Sequence, residues 1–182
     1  KINETWGKLD FLVHAIAWAP TADLHGRLTD CSADGFAQAM QVSCHSFIRM
    51  AKLAEPLMAP GGSLTTLSFI GAERVVDHYS LMGPVKAVLE TSVRNLAHEL
   101  GPKGLRVNAI SAGAIKTRAA SGIEHFDELI RETETKSPLR RTVTADEVGR
   151  AALVLASDHT TAITGEILHV DAGFHVDGMV FH

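Results

Sequence analysis

Apolar positions along the chain follow two periodicities in turn, and each switch between them marks a change of element. Leu9 to Ile16, with Phe11, Leu12, Val13 and Ile16, is a short apolar run of the length of a buried parallel strand. Before it, Lys1 to Lys8 reads as the end of a helix leading into that strand. Ser32 or Asp34 can cap a helix in which Phe36, Met40, Phe47, Met50, Ala54 and Met58 recur at helical intervals, predicting a helix to about Met58. Pro60-Gly61-Gly62 stops it, and Ser63 to Ile70 predicts the next strand. After a turn at Gly71-Ala72-Glu73-Arg74, the spacing of Ala87, Leu89, Val93, Leu96, Ala97 and Leu100 predicts a helix over 84–100. Leu105 to Ile110 is a strand again. The stretch 118–143 lacks strand character and holds one short amphipathic helix marked by Phe126, Leu129 and Ile130. Thr144 with Glu147 is a capping-box match opening a helix to Ser157, and Gly165 to Val170 is a last strand. Helix and strand alternating at this spacing predict an α/β fold with a doubly wound parallel sheet, a single domain over 1–182.

Composition narrows the function classes. With 182 residues, 46% hydrophobic and a net charge of −4, the chain suits one soluble domain with a sizeable core. Its slight acidity leaves no electrostatic footprint for nucleic acid or an anionic membrane, and no apolar run reaches the roughly 18 residues of a spanning helix. Cys31 and Cys44 form neither a CxxC nor a disulfide framework, so free thiols in a reducing cytoplasm are expected. The ten histidines form no HxH or HExxH, and no metal site is expected. The stripe of Met40, Met50 and Met58 reads as core or subunit interface.

Candidate chemistry concentrates in Tyr79-Ser80-Leu81-Met82-Gly83-Pro84-Val85-Lys86, which contains the chain's only tyrosine. If the helix reaches back to Tyr79, that residue and Lys86 share a face two turns apart. A lysine ammonium beside a phenol stabilises the phenolate and is expected to lower its pKa. Small residues at Ala17-Trp18-Ala19-Pro20, just past a strand's C-terminal end, would let a ligand approach the backbone.

Tyr79-x-x-Met82-x-x-x-Lys86 resembles the divergent branch of the short-chain dehydrogenase/reductase superfamily, typified by the bacterial NAD(P)H-dependent enoyl-[acyl-carrier-protein] reductases. In other branches the tyrosine stands four before the lysine, where Met82 is here. The likeness extends from about Trp6 to Phe174. Val13-His14-Ala15-Ile16-Ala17-Trp18-Ala19-Pro20 resembles the family's Val-His-Ser-Ile-Gly-Phe-Ala-Pro, Ser111-Ala112-Gly113-Ala114-Ile115-Lys116-Thr117 its Ser-Ala-Gly-Pro-Ile-Arg-Thr, and Val170-Asp171-Ala172-Gly173-Phe174 its Val-Asp-Gly-Gly-Phe.

The resemblance implies a Rossmann-like reductase using NADH or NADPH in bacterial fatty acid synthesis. Tyr79 and Lys86 would be catalytic, and Ala15, Ile16, Ala17, Lys86, Ile115 and Thr117 would bind the cofactor. Phe69, Met82, Ala119, Ala120, Ile123 and Phe126 would line the substrate pocket, under a lid at about 117–143. Phe69 stands where the family has a tyrosine, and Ser68 is a possible helper.

The substrate would be an enoyl-acyl-carrier protein or enoyl-CoA, although Glu124-His125-Phe126-Asp127-Glu128 is acidic where the family offers basic residues to an acidic carrier. A homotetramer or dimer pairing helices 33–58 and 84–100 is expected. No Gly-rich strand-to-helix turn lies near the start of the chain, so the family's first βαβαβα portion, roughly 90 residues, is expected to lie outside it. Two other readings fit the same residues: a carbonyl reductase of the superfamily, and an inactive paralogue or fragment.

Overall fold

The structure, a computed structural model, describes residues 1–117 and 125–177. Among the described residues four strands, β1 (Phe11–His14), β2 (Ser63–Ser68), β3 (Arg106–Ala112) and β4 (Ile167–Val170), form one parallel sheet in the order β1-β2-β3-β4. The helices are α1 (Ile2–Trp6), α2 (Thr21–Leu24), α3 (Ala33–Met40), α4 (Ser46–Ala54), α5 (Met82–Leu100), α6 (Phe126–Lys136) and α7 (Ala145–Ala156).

Successive strand side chains point to opposite faces, and both faces of this sheet are covered. Leu64, Val107 and Ala109 pack with Cys44, Phe47, Ala51, Leu89, Val93 and Leu96, which places α4 and α5 on one side. Leu67, Ile110 and Leu168 pack with Val148 and Leu155 of α7 on the other. Burial from both sides explains why the strands read as apolar runs rather than alternating ones. The capping box at Thr144 and Glu147 is made in full. Arg106 and Asn108, both buried, hold the crossover to β4: the Arg106 guanidinium donates to the Leu155 and Ser157 carbonyls, and Asn108 donates to Ile163 and accepts from the Glu166 N–H.

The predicted helix to Met58 is interrupted and ends early. A π turn over Gln41–His45 separates α3 from α4, and a 3₁₀ turn over Glu55–Leu57 follows. Hydroxyls account for the first break. Ser46 Oγ donates back to the Val42 carbonyl at 2.6 Å, and Ser43 Oγ turns away from the helix to the backbone of Trp18. Pro56 accounts for the second, since it has no backbone N–H with which to continue the α-helical ladder, although Glu55 before it keeps a helical conformation. The loop after Pro20 holds the short α2 and a 3₁₀ turn over Leu28–Asp30, neither of which has an apolar period to betray it.

All four strands run the same way, so Ala15–Ala17, Phe69, Gly113–Thr117 and Asp171 emerge at one edge of the sheet, where open α/β folds bind ligands. β1 is an outer strand, and its Phe11 and Val13 stay 51% and 42% exposed. Among the described residues no helix is long and apolar enough to cross a membrane.

Candidate active site

Tyr79 sits in the turn between β2 and α5. The helix begins at Met82 and does not include Tyr79, but the Gly83 N–H donates to the Tyr79 carbonyl at 3.0 Å, a helical-type bond that carries the turn into the helix. His78, just before it, adopts a left-handed φ of 61°, uncommon for a residue with a side chain and favoured at tight functional turns. Its ring lies 4.5 Å from that of His125, at the start of α6. Ser80 Oγ anchors the turn to the Gly26 carbonyl. The Tyr79 ring meets Phe69 edge-on at 4.8 Å and lies over Gly71, where an added Cβ would fall 2.5 Å from a ring carbon. No larger residue fits beneath that ring. The packing leaves Tyr79 only 8% exposed, in one cluster with Leu81, Met82 and Val85.

That burial overturns the expected direction of the tyrosine's pKa. Removing the phenolate from water pushes the phenol above its ordinary range, and no opposing contribution from Lys86 outweighs it. The reason is where the lysine goes. Lys86, also buried, donates from Nζ to the Leu67 carbonyl at 2.7 Å, next to the end of β2. Burial lowers the ammonium to about 8, with Glu90 and Cys44 pushing the other way. At neutral pH the site therefore holds a protonated phenol and a protonated lysine, a hydrogen-bond donor and a cation. Ser68 is not aimed at a substrate: its hydroxyl donates to Glu90 of α5 at 2.5 Å, on the buried face of the sheet.

The residues expected to bind a dinucleotide fall into two groups. Ala15, Ile16 and Ala17 are exposed immediately after β1. Their loop is tethered by Ser43 in the π turn, which accepts from the Trp18 N–H and donates to the Trp18 carbonyl, both at 2.8 Å. Exposed backbone with small side chains at the sheet's C-terminal edge, with the Lys86 cation on the same edge, fits the nicotinamide half of a dinucleotide. Ile115 and Thr117 lie beyond β3. Ile115 lines a cleft of about 630 Å³ with Ile130, Arg131 and Val143, and Thr117 faces Phe126 across an adjoining one. Tyr79 lines neither. It reaches α6 through Phe69, which walls a small cavity with Leu129, Thr133 and Phe174. Ala119, Ala120 and Ile123 lie outside the described residues.

Within the acidic stretch, Asp127 and Glu128 occupy the first turn of α6, where negative charge complements the helix dipole, and they pair with Lys116 and His125. Nothing in the sequence marks the contacts of Gly71 and Ser43, because both reach across the fold. Glu90 did carry one: it lies one turn after Lys86 on the same helix face.

The family model described as enoyl-(acyl carrier protein) reductase matches residues 1–175. The chain is similar to enoyl-[acyl-carrier-protein] reductase [NADH] 1 of Rhizobium meliloti, 52% identical over 178 residues that cover 98% of this chain and 65% of the relative. It is 44% identical to the enoyl-[acyl-carrier-protein] reductase [NADH] FabI of Escherichia coli, covering 98% of this chain and 69% of that one. Among solved structures, the NADH enoyl reductase of Aquifex aeolicus superposes with a TM-score of 0.95 at 44% identity, over 98% of this chain and 70% of that one. The enzyme of Anaplasma phagocytophilum, solved with NAD, superposes with a TM-score of 0.93 at 52% identity, over 98% of this chain and 68% of that one. The chain thus spans about two thirds of the length of the relatives it matches. Fold, motif order and these likenesses agree, and the chain belongs to the enoyl-(acyl carrier protein) reductase family.

Proposed function

We propose that the complete protein to which this chain belongs is an NADH-dependent enoyl-[acyl-carrier-protein] reductase, reducing the trans-2 double bond of an enoyl thioester in bacterial fatty acid synthesis. The observation that carries the reading is a buried Tyr79 in the turn entering α5 together with a buried Lys86 on α5 that reaches the end of β2 at the sheet's C-terminal edge. Hydride to the β-carbon is what a reduced nicotinamide supplies when bound. The chain's own residues supply the rest. As negative charge moves onto the thioester oxygen, the Tyr79 O–H donates to the forming enolate, an interaction strongest in the transition state. Burial keeps that proton on the phenol and keeps water from competing for the oxygen. Lys86 would hold the nicotinamide ribose hydroxyls, Ala15–Ala17 and Thr117 the cofactor's path, and Ile115 its carboxamide side.

Phe69 and Met82 wall the acyl end, with Ala119, Ala120, Ile123 and Phe126 in the lid over 117–143. The rest of the dinucleotide site belongs to strand–helix units beyond β1, a reading supported by the exposed Phe11 and Val13 on that edge. The partner is an enoyl-acyl-carrier protein or enoyl-CoA, the setting cytoplasmic, and the assembly a homotetramer or dimer through α3, α4 and α5. Exposed Phe36, Ile48, Leu53 and Val88 on those helices support the last point.

The test is NADH and NADPH oxidation by the complete protein with crotonyl-CoA, beside Tyr79→Phe. Losing one preorganised donor to a developing oxyanion is expected to lower kcat about 10²–10³-fold. A Tyr79→Phe enzyme with unchanged kcat would overturn the role of Tyr79. Turnover of a ketone or aldehyde without turnover of crotonyl-CoA would replace the reading with a carbonyl reductase.

A further inference from the structure

Among the described residues no carboxylate touches Lys86, a cation held in a place that disfavours charge. Its ammonium is buried, and its hydrogen bond is to the Leu67 main-chain carbonyl. Two things must be arranged for such a group to serve: the carbonyl must be held where it is, and negative charge must lie close enough to keep the ammonium protonated. Both trace to one residue. Glu90 is one helical turn beyond Lys86 on the buried face of α5 and is 4% exposed. Its carboxylate accepts from Ser68 Oγ at 2.5 Å, within the range of a charge-assisted O–H···O⁻ bond. Ser68 is the next residue after Leu67 at the end of β2, and Phe69, which meets Tyr79 at 4.8 Å, is the next again. One carboxylate thus pins the strand end that carries both the lysine's acceptor and the tyrosine's aromatic neighbour.

We propose that Glu90 is a positioning residue for Lys86, fixing the Leu67 carbonyl through Ser68 and supplying, from one turn along α5, the negative charge that a buried ammonium needs. The proposal rests on the reductase reading above.

The electrostatic surroundings support it. Around Lys86 the groups that act on it or feel it are Glu90 on its own helix, Cys44 in the π turn and His14 on β1. Glu90 and Cys44 raise the lysine's affinity for its proton, and the lysine's charge lowers that of His14. Around Glu90 are Ser68 on β2, Glu73 in the turn before Tyr79, Arg94 on α5 and His169 on β4. Burial, the largest effect, raises the Glu90 carboxyl above its usual range with help from Glu73, while Ser68, Arg94 and His169 act to lower it. The Ser68 hydrogen bond is thus both the mechanical clasp and a contact that favours the charged form of Glu90.

The experiment separates clasp from charge in the complete protein. Glu90→Gln keeps a hydrogen-bonding side chain and removes the charge; Ser68→Ala keeps the carboxylate and removes the clasp; Ser68→Thr restores the hydroxyl. Two readouts are taken across pH 6 to about 9.5: the dissociation constant for NADH from its fluorescence, which needs no turnover, and kcat with crotonyl-CoA. In the wild type, NADH binding weakens as pH rises through the Lys86 value of about 8, where the ammonium loses its proton. Glu90→Gln is expected to bring that midpoint down by about one pH unit, the size of a nearby-charge effect. Ser68→Ala is expected to lower kcat about tenfold at a midpoint close to that of the wild type, with Ser68→Thr recovering most of it. A Glu90→Gln enzyme whose midpoint and kcat both match the wild type overturns the proposal. So does a Ser68→Ala enzyme with full kcat, which also decides the matter if Glu90→Gln does not fold. A wild-type protein that binds no NADH would instead sink the reductase reading, a distinct failure visible before any variant is compared.

Discussion

The most direct test of the site's packing is Gly71→Ala. A Cβ at this position would lie 2.5 Å and 2.9 Å from two carbons of the Tyr79 ring, and 3.5 Å from Phe69, where ordinary contact begins near 3.4 Å. Neither ring atom is the tip of a flexible chain, so the ring as a whole must retreat by roughly 1 Å, with Phe69 already against it. A misplacement of that size at a reacting group costs about 100-fold in kcat. Overpacking of a tight site costs about 1–3 kcal/mol of stability in addition. The assay is kcat for NADH oxidation with crotonyl-CoA, read beside urea unfolding and the NADH dissociation constant. The expected pattern is a large loss of kcat, near-normal NADH binding and modest destabilisation. Gly149→Ala supplies the control. It makes the same change inside α7 at a site where, among the described residues and apart from the local helix backbone, nothing lies within 4 Å of the new Cβ. It should stabilise by about 0.5–1 kcal/mol through helix propensity and leave kcat untouched. A Gly71→Ala enzyme with wild-type kcat would refute the claim that the Tyr79 ring is held by this contact.

Two further perturbations probe the scaffold beneath the site. His14 is buried between Thr66 and Ser46, which its ring nitrogens each meet at 2.8 Å, and burial, helped by the Lys86 charge, lowers it to about 4. Because the unfolded chain takes up this proton first, near pH 6.5, stability is lost as pH falls from about 6.5 to about 4, on the order of 3 kcal/mol for this residue. Denaturant unfolding of His14→Gln at pH 7 and pH 4 should show that part of the acid dependence gone; an identical slope in both proteins would count against it. Ser43→Ala removes both hydrogen bonds that hold the Trp18 backbone, worth on the order of 1 kcal/mol. It should weaken NADH binding roughly fivefold without changing kcat at saturation, a split that stopped-flow and equilibrium fluorescence can separate.

How far the sequence could be read depends on which force fixes each feature. The four strands and helices α5 and α7 were legible because burial on both faces of a parallel sheet leaves a periodic trace in every element. Predicted spans 84–100 and 63–70 became Met82–Leu100 and Ser63–Ser68, errors of the size expected at element ends. The π turn was not legible. It is held by the Ser46 hydroxyl on its own helix and the Ser43 hydroxyl on a loop some twenty-five residues earlier, and serines scattered along an amphipathic stripe look alike on paper. The acidic opening of α6 is visible in the sequence, where it reads as a surface facing a partner or solvent. As the first turn of a helix, Asp127 and Glu128 have a local reason to be acidic whatever docks there.

The site divides along the same line. Spacing singled out Tyr79 and Lys86, of which the structure puts only Lys86 on the helix and Tyr79 in the turn before it, and motif likeness singled out Ala15–Ala17, Ile115 and Thr117, which lie beyond strand ends of the same edge. What spacing could not report was the medium between them. A lysine seven residues from a tyrosine lowers the phenol's pKa only if its charge dominates the phenol's surroundings. Here the ammonium is taken by the Leu67 carbonyl, and the ring is closed in by Phe69 and Gly71. Desolvation then sets both groups, raising the tyrosine and lowering the lysine only to about 8, and both still hold a proton at neutral pH. That state suits a donor to a forming enolate better than a phenolate would, since a phenolate has no proton to offer the oxygen. The role proposed for the tyrosine therefore depends less on the lysine that marks it in the sequence than on the glycine and the aromatic ring that keep it dry.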